Sequence, residues 1–244
     1  MQLAILDYGR FQVHADGRII GIPGYCIRAN QRIILVDTGF PAAYIDAPLA
    51  TAQIDRLDTF GQVDHLRPAN LPAAQLALLG LRPDAITDLI VSHTHIDHIG
   101  GLADFPQARI IIGAAERALP APLYWADRRP LAWPAANYTL IYADTEILPG
   151  LTVLATPGHS PGHLSLLIDL PSGPVLLTAD ALSRPAELQD GFAGAWDEAQ
   201  ARAQAQRLLQ LAARQQATVI YGHDPAQWPL LPKAPHWFTG LPTA

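Results

Sequence analysis

Three histidines and an aspartate fall within six positions of VSHTHIDHIGG, residues 91–101. Imidazole suits zinc, cobalt, iron and nickel alike, and a carboxylate beside it widens the choice. Packing gives no reason to crowd imidazoles at one turn, where they repel or compete, so the cluster points to bound metal. His93 and His95, two apart, can close on one ion, while Asp97 and His98 point elsewhere and can start a second site. Three distant segments offer further donors: TPGHSPGH has His159, PVLLTAD has Asp180 and ATVIYGH has His223. Asp180 could bridge two ions with its two oxygens. Two cations sharing an oxygen make hydroxide available near neutral pH, which prepares hydrolysis without a serine or cysteine nucleophile. His163 opens the next apolar run and reads as an orienting partner that hydrogen-bonds a ligand. Asp37, in ILVDTGF, precedes a Thr-Gly turn that its carboxylate can brace, and it reads as supporting too.

The elements that must position these residues are short apolar runs bounded by Gly, Pro and Asp: LAILDYG, RIILVDTG, ITDLIVSH, ARIIIGA, LTVLATPG, HLSLLIDL, PVLLTAD and ATVIYGH. Each predicts a strand. His93, His159, Asp180 and His223 all sit at strand ends, so loops at one sheet edge can bring them into a single crevice although the first and last lie about 130 positions apart. A helix is predicted over Trp196 to Gln216 and another over Pro72 to Leu79. The proline-rich stretch from Leu119 to Tyr138 predicts a loop or lid with little regular structure, and its Tyr124, Trp125 and Trp133 could line an apolar pocket or simply pack. Strands followed by alternating strands and helices mean an α/β layered fold. No linker divides residues 1–244, which read as a single domain.

Composition narrows the function. Half of the 244 residues are apolar, enough for a sizeable core, and the formal charge is −6. Lys233 is the only lysine and Arg128-Arg129 the only adjacent basic pair, so no nucleic-acid partner is expected. No apolar run reaches the length of a signal peptide or a membrane span, which makes a cytoplasmic protein without a membrane partner the default. The lone Cys26 reads as a buried structural thiol, and His14, His65 and His236 as exposed or hydrogen-bonded rings.

ILVDTG, SHTHIDHIGG, TPGHSPGHLSLLI, VLLTADA and YGHD together resemble the metallo-β-lactamase superfamily, and within it the N-acyl-homoserine lactonases, over nearly the whole chain. The resemblance implies a four-layer αβ/βα sandwich of two sheets packed face to face with helices outside. It implies two divalent ions, zinc first, with iron, cobalt or manganese as alternatives. His93, His95 and His159 would hold one, Asp97, His98 and His223 the other, with Asp180 between them. The implied reaction is quorum-quenching hydrolysis: a hydroxide bridging the ions opens a small-molecule lactone, and Asp97 passes a proton to the leaving alkoxide. A monomer or a homodimer would serve.

In one place the chain departs from the lactonase pattern. The lactonases usually carry a substrate-facing tyrosine three residues after the bridging aspartate, where TADALSR has Ser183. Another donor could replace it, the metal could hold the oxyanion alone, or the substrate could be a different lactone or ester. A glyoxalase II-like thioesterase shares the ligands but needs a cationic surface beyond Arg128-Arg129. A β-lactamase would normally be exported, a flavo-diiron protein lacks the second histidine, and ions that merely staple a fold usually sit singly among four ligands.

Overall fold

In the computed structural model, which describes residues 1–241, twelve strands form two sheets. The last three positions of the expected 1–244 domain lie outside the described residues. The strands are β1 (Gln2–Val13), β2 (Ile19–Ala29), β3 (Arg32–Val36), β4 (Gly61–His65), β5 (Asp88–Val91), β6 (Arg109–Gly113), β7 (Tyr138–Ile141), β8 (Thr145–Leu148), β9 (Leu151–Ala155), β10 (Leu164–Leu170), β11 (Gly173–Leu177) and β12 (Thr218–Ile220). The first sheet has the order β4-β1-β2-β3-β5-β6-β7 and the second β12-β11-β10-β9-β8. Strands β3, β5, β6 and β7 run parallel, as do β11 and β12, while the other pairs are antiparallel.

Strands buried on both faces read as continuous apolar runs, and alternation decides which layer each side chain joins. In β1, Leu3 and Ile5 enter the core between the sheets with Ile90, Ile111, Leu166 and Leu177. Their neighbours Ala4 and Leu6 face outward under Tyr44 and Leu76, which come from helices. On the far side, Leu154 and Leu176 meet Leu208 and Ala212 of the helix Glu198–Gln215. The order helix, sheet, sheet, helix is the αβ/βα sandwich expected. No helix of the described residues is long and apolar enough to cross a membrane.

Some boundaries move. The long helix opens at Glu198 because Asp197 caps it, accepting from Gln200 N–H at 2.9 Å. Trp196 stays outside the helix, in a bend, and donates its N–H to the carbonyl of His159. The helix at Pro72 ends at Leu78, and Tyr138 closes the proline-rich loop by opening β7. The unforeseen β2 carries Gly21, Pro23 and Gly24, residue types that ordinarily weaken or interrupt a strand. In place, a Cβ at Gly24 would lie 2.0 Å from the Tyr8 ring, so the glycine admits a close approach.

Leu166 is wholly buried between the sheets. Leu166→Ala is expected to lower unfolding free energy by about 2–5 kcal/mol, read from urea denaturation.

Candidate metal centre and cavity

At the shared edge of the two sheets the chain leaves β3 at Asp37, β5 at His93, β9 toward His159, β11 toward Asp180 and β12 toward His223, and it enters β10 just after His163. The sheets are tied there directly, since Leu164 N–H donates to the Ser92 carbonyl at 2.8 Å. Seven side chains converge in three overlapping groups: His93, His95 and His159; His93, His98 and Asp180; Asp97, His98 and His223. His95 Nδ1 lies 3.0 Å from both His93 Nε2 and His159 Nε2.

Supporting bonds aim these rings. Asp37, in the left-handed region at φ 58°, accepts from Ser92 N–H at 2.8 Å, Ser92 O–H at 2.7 Å and His98 Nδ1–H at 2.8 Å. Its carboxylate therefore braces the neighbouring loop and the His98 ring instead of its own turn. His223 Nδ1–H donates to the Gly21 carbonyl at 2.8 Å, and His93 Nδ1 lies 3.2 Å from Ser92 Oγ. With the Nδ1 protons engaged, the Nε2 lone pairs of His93, His98 and His223 turn to the centre. His163 accepts from Asp180 N–H at 3.1 Å, and its Nδ1 meets Thr156 Oγ1 at 2.8 Å. It thus steadies the aspartate through the backbone.

The donor set suits cations. His98 Nε2, His223 Nε2 and Asp180 Oδ1 are buried with no hydrogen-bond partner among the described residues. The 3.1 Å approach of His223 Nε2 to Asp180 Oδ1 lacks the alignment of a hydrogen bond. Each such orphan costs about 1–3 kcal/mol unless something binds it. Burial drives His93 well below the ordinary histidine range and His159 down to about 3, leaving neutral rings with free lone pairs. On the other side, burial opposes protonation of His223, yet the charges of Asp180 and Asp97 pull it up to about 9. Burial likewise opposes ionisation of Asp180, and His223 and His98 overcome it to hold the carboxyl well below its usual range. The carboxylates thus demand positive charge beside them, and a divalent ion meets that demand as well as the lone-pair donors.

Five of the seven donors, His95, Asp97, His159, Asp180 and His223, line a cavity of about 670 Å³. Phe11, Phe40, Leu57, Phe60 and Trp125 supply an apolar side, with Ser183, Arg184 and Glu187 among the polar lining. Trp125 stands over the centre, its ring 6.2 Å from that of His95. Tyr124 and Trp133 are not brought into the lining. The Tyr124 hydroxyl donates to buried Asp55 at 2.9 Å, and Trp133 bonds the Leu119 carbonyl and stacks on Arg117. Cys26 lies in the helix-facing core, outside the cavity lining and the donor groups, with burial pushing its thiol up to about 12.

Sequence reasoning missed Glu116, Ser92, Thr94 and Thr156, all wholly buried beside the centre. Ser92 and Thr94 flank the histidines and were legible only as neighbours. Glu116 gives no local signal beyond an acid at the start of a short helix.

Two face-to-face sheets with helices outside and a histidine-aspartate cluster at one edge define a class of metal hydrolase. Residues 23–223 match the metallo-β-lactamase superfamily, and the chain belongs to it. It is 34% identical to an N-acyl homoserine lactonase of Bacillus cereus over 220 residues, covering 85% of this chain and 84% of the relative. It is 35% identical to one from Azorhizobium caulinodans over 186 residues, covering 68% of each. Its structure is similar to that of an N-acyl homoserine lactone hydrolase with the product N-hexanoyl-L-homoserine bound at its catalytic metal center, with a TM-score of 0.84, 28% identity, and coverage of 97% of this chain and 98% of the other.

Asp37→Asn weakens the acceptor that fixes His98. It is expected to lower divalent-metal affinity roughly 10-fold or more, measured by competition with a chromophoric chelator.

Proposed function

We propose that this chain is a two-metal lactonase that hydrolyses N-acyl homoserine lactones, carried by one domain over residues 1–244. The observation that carries the reading is the placement of Asp180. Its Oδ2 lies 3.5 Å from His159 Nε2, while its Oδ1 lies 3.1 Å from His223 Nε2 and 3.6 Å from His98 Nε2, so one carboxylate faces two donor groups. His93, His95 and His159 would hold one ion, Asp97, His98 and His223 would hold the other, and Asp180 would serve both. Asp37 and His163 orient them. Ions there supply Lewis acidity, polarising a carbonyl and making water acidic enough to yield hydroxide near neutral pH. The identity to named lactonases supports the substrate class.

Asp97 lines the cavity, and although burial opposes its ionisation, His98 and His223 hold its carboxyl below the usual range. Its place in the cavity lets it take the proton of the attacking water. As the new C–O bond forms and the ring C–O bond breaks, it returns that proton to the departing alkoxide, and the product is a hydroxy acid. The apolar side with Phe11, Phe40, Phe60 and Trp125 excludes water and accepts an acyl chain. Ser183 lines the same cavity, and its hydroxyl has no partner among the described residues. Zinc is the metal we expect, in a cytoplasmic monomer or homodimer, checked by elemental analysis, fractionation and light scattering.

A thioesterase acting on an anionic thioester is the second reading. Arg129 favours it: the side chain lines the cavity and bonds the carbonyls of Ala126 and Arg128, with no carboxylate partner among the described residues.

Elemental analysis of fully active protein is expected to give two divalent ions per chain, and a maximum of one defeats the two-metal reading. Acyl-homoserine lactones should be turned over better than thioesters, β-lactams or phosphotriesters, and a superior thioester moves the assignment to the second reading. Asp97→Asn should cut turnover at least about 100-fold. Ser183→Ala should change lactone turnover little, because a serine hydroxyl is too short to reach where a tyrosine would. If the hydroxyl donates to the carbonyl, the loss is about 1–3 kcal/mol of transition-state stabilisation.

A further inference from the structure

Glu116 is wholly buried, and no arginine, lysine or histidine pairs with it among the described residues. Its carboxylate instead takes four hydrogen bonds, two on each oxygen. Oε1 accepts from Thr94 N–H at 2.9 Å and Thr94 O–H at 2.6 Å. Oε2 accepts from Ser160 O–H at 2.8 Å and Gly162 N–H at 3.0 Å. Thr94 lies between His93 and His95, whereas Ser160 follows His159. One anion therefore grips the donor loop of the first sheet with one oxygen and that of the second sheet with the other.

The backbone is shaped for this grip. A Cβ at Gly162 would stand 2.2 Å from Glu116 N, and one at Gly113 would stand 1.9 Å from the Gly162 carbonyl oxygen. Both positions admit only glycine unless the backbone moves. The loops so clamped deliver His93, His95 and His159, with His95 Nδ1 3.0 Å from His93 Nε2 within its own loop and 3.0 Å from His159 Nε2 across the join. The helical turn Ile96–Ile99, which carries Asp97 and His98 further along the same connection, and the loop bearing His223 make no bond to Glu116.

We infer that Glu116 is a positioning residue, which sets the separation of the His93–His95 loop from the His159 loop and so governs metal affinity at that one position. Charge-assisted bonds to a buried carboxylate are strong and directional enough for the task. The inference rests on the two-metal reading above. It also explains the replacement that should fail: glutamine has the same shape but one acceptor oxygen, so its NH₂ group must confront the donors of one of the two loops.

Wild-type and Glu116→Gln proteins, stripped with chelator, are titrated with cobalt(II) under chelator competition while the visible spectrum is followed. The wild type is expected to bind two equivalents. In Glu116→Gln one equivalent should keep its affinity while the other weakens at least about 10-fold with an altered spectrum. Turnover should fall, with KM held within about threefold. Two equivalents of unchanged affinity and spectrum in Glu116→Gln would overturn the inference and leave the two-metal reading intact. Uniform loss of both equivalents also overturns it. If Glu116→Gln does not fold, Ser160→Ala, which removes a single bond to Oε2, must weaken the same equivalent selectively, and wild-type binding by that variant overturns the inference. A wild type that holds no cobalt defeats the two-metal reading itself.

Discussion

Sheets packed face to face stand about 10 Å apart, yet imidazoles carried by loops of the two sheets, those of His95 and His159, meet at 3.0 Å. Closing that gap at one edge, and holding it closed, is the constraint on which the rest of the molecule depends. The apolar core between the sheets provides the general attraction, but it is non-directional. Direction comes from polar bonds at the edge: Leu164 to Ser92, Glu116 to Thr94 and Ser160, and Asp37 to Ser92 and His98. All of these are buried, where a hydrogen bond is stronger and a missing partner more costly.

The centre itself is a balance between burial and charge. Burial favours the neutral rings of His93 and His159, whereas at His98 and His223 the same burial is opposed by the negative charges of Asp97 and Asp180, which favour positive charge there. Neutral donors on one side and anionic oxygens on the other make a site that cations complete. This is why the same residues that cost stability as orphaned polar groups are well placed for chemistry.

Much of this was legible in the sequence because the donors are chemically distinctive and sit at the ends of apolar runs. HTHIDH announced itself by crowding, and His159, Asp180 and His223 by their place after a strand. The strands that escaped notice, β2 and β4 among them, carry glycine, proline or charge whose role emerges only when a neighbour such as the Tyr8 ring is in place. Tyr124 and Trp133 were ambiguous for a related reason. An aromatic ring in a loop reads alike whether it faces a cavity or, as Tyr124 does, a buried acid such as Asp55. Glu116 escaped because its meaning lies in two loops, 22 residues before it and 44 after, neither predictable from its own segment.

Part of the cavity wall comes from stretches of chain separate from the donor cluster. Phe60 and Trp125 line the cavity from segments apart from the loops that follow β5, β9, β11 and β12 and carry the seven donors, while Arg184 and Phe192 lie further along the connection that begins with Asp180. Chemistry and substrate choice are thus modular. Replacement at Phe60, Trp125 or Phe192, whose side chains bond none of the donors, can recut the cavity while the reacting centre keeps its supporting bonds, and a library confined to those positions would vary selectivity. The same separation gives a lineage built on this scaffold a cheap path to new substrates, because surface loops can drift under selection while the edge where the sheets meet stays still.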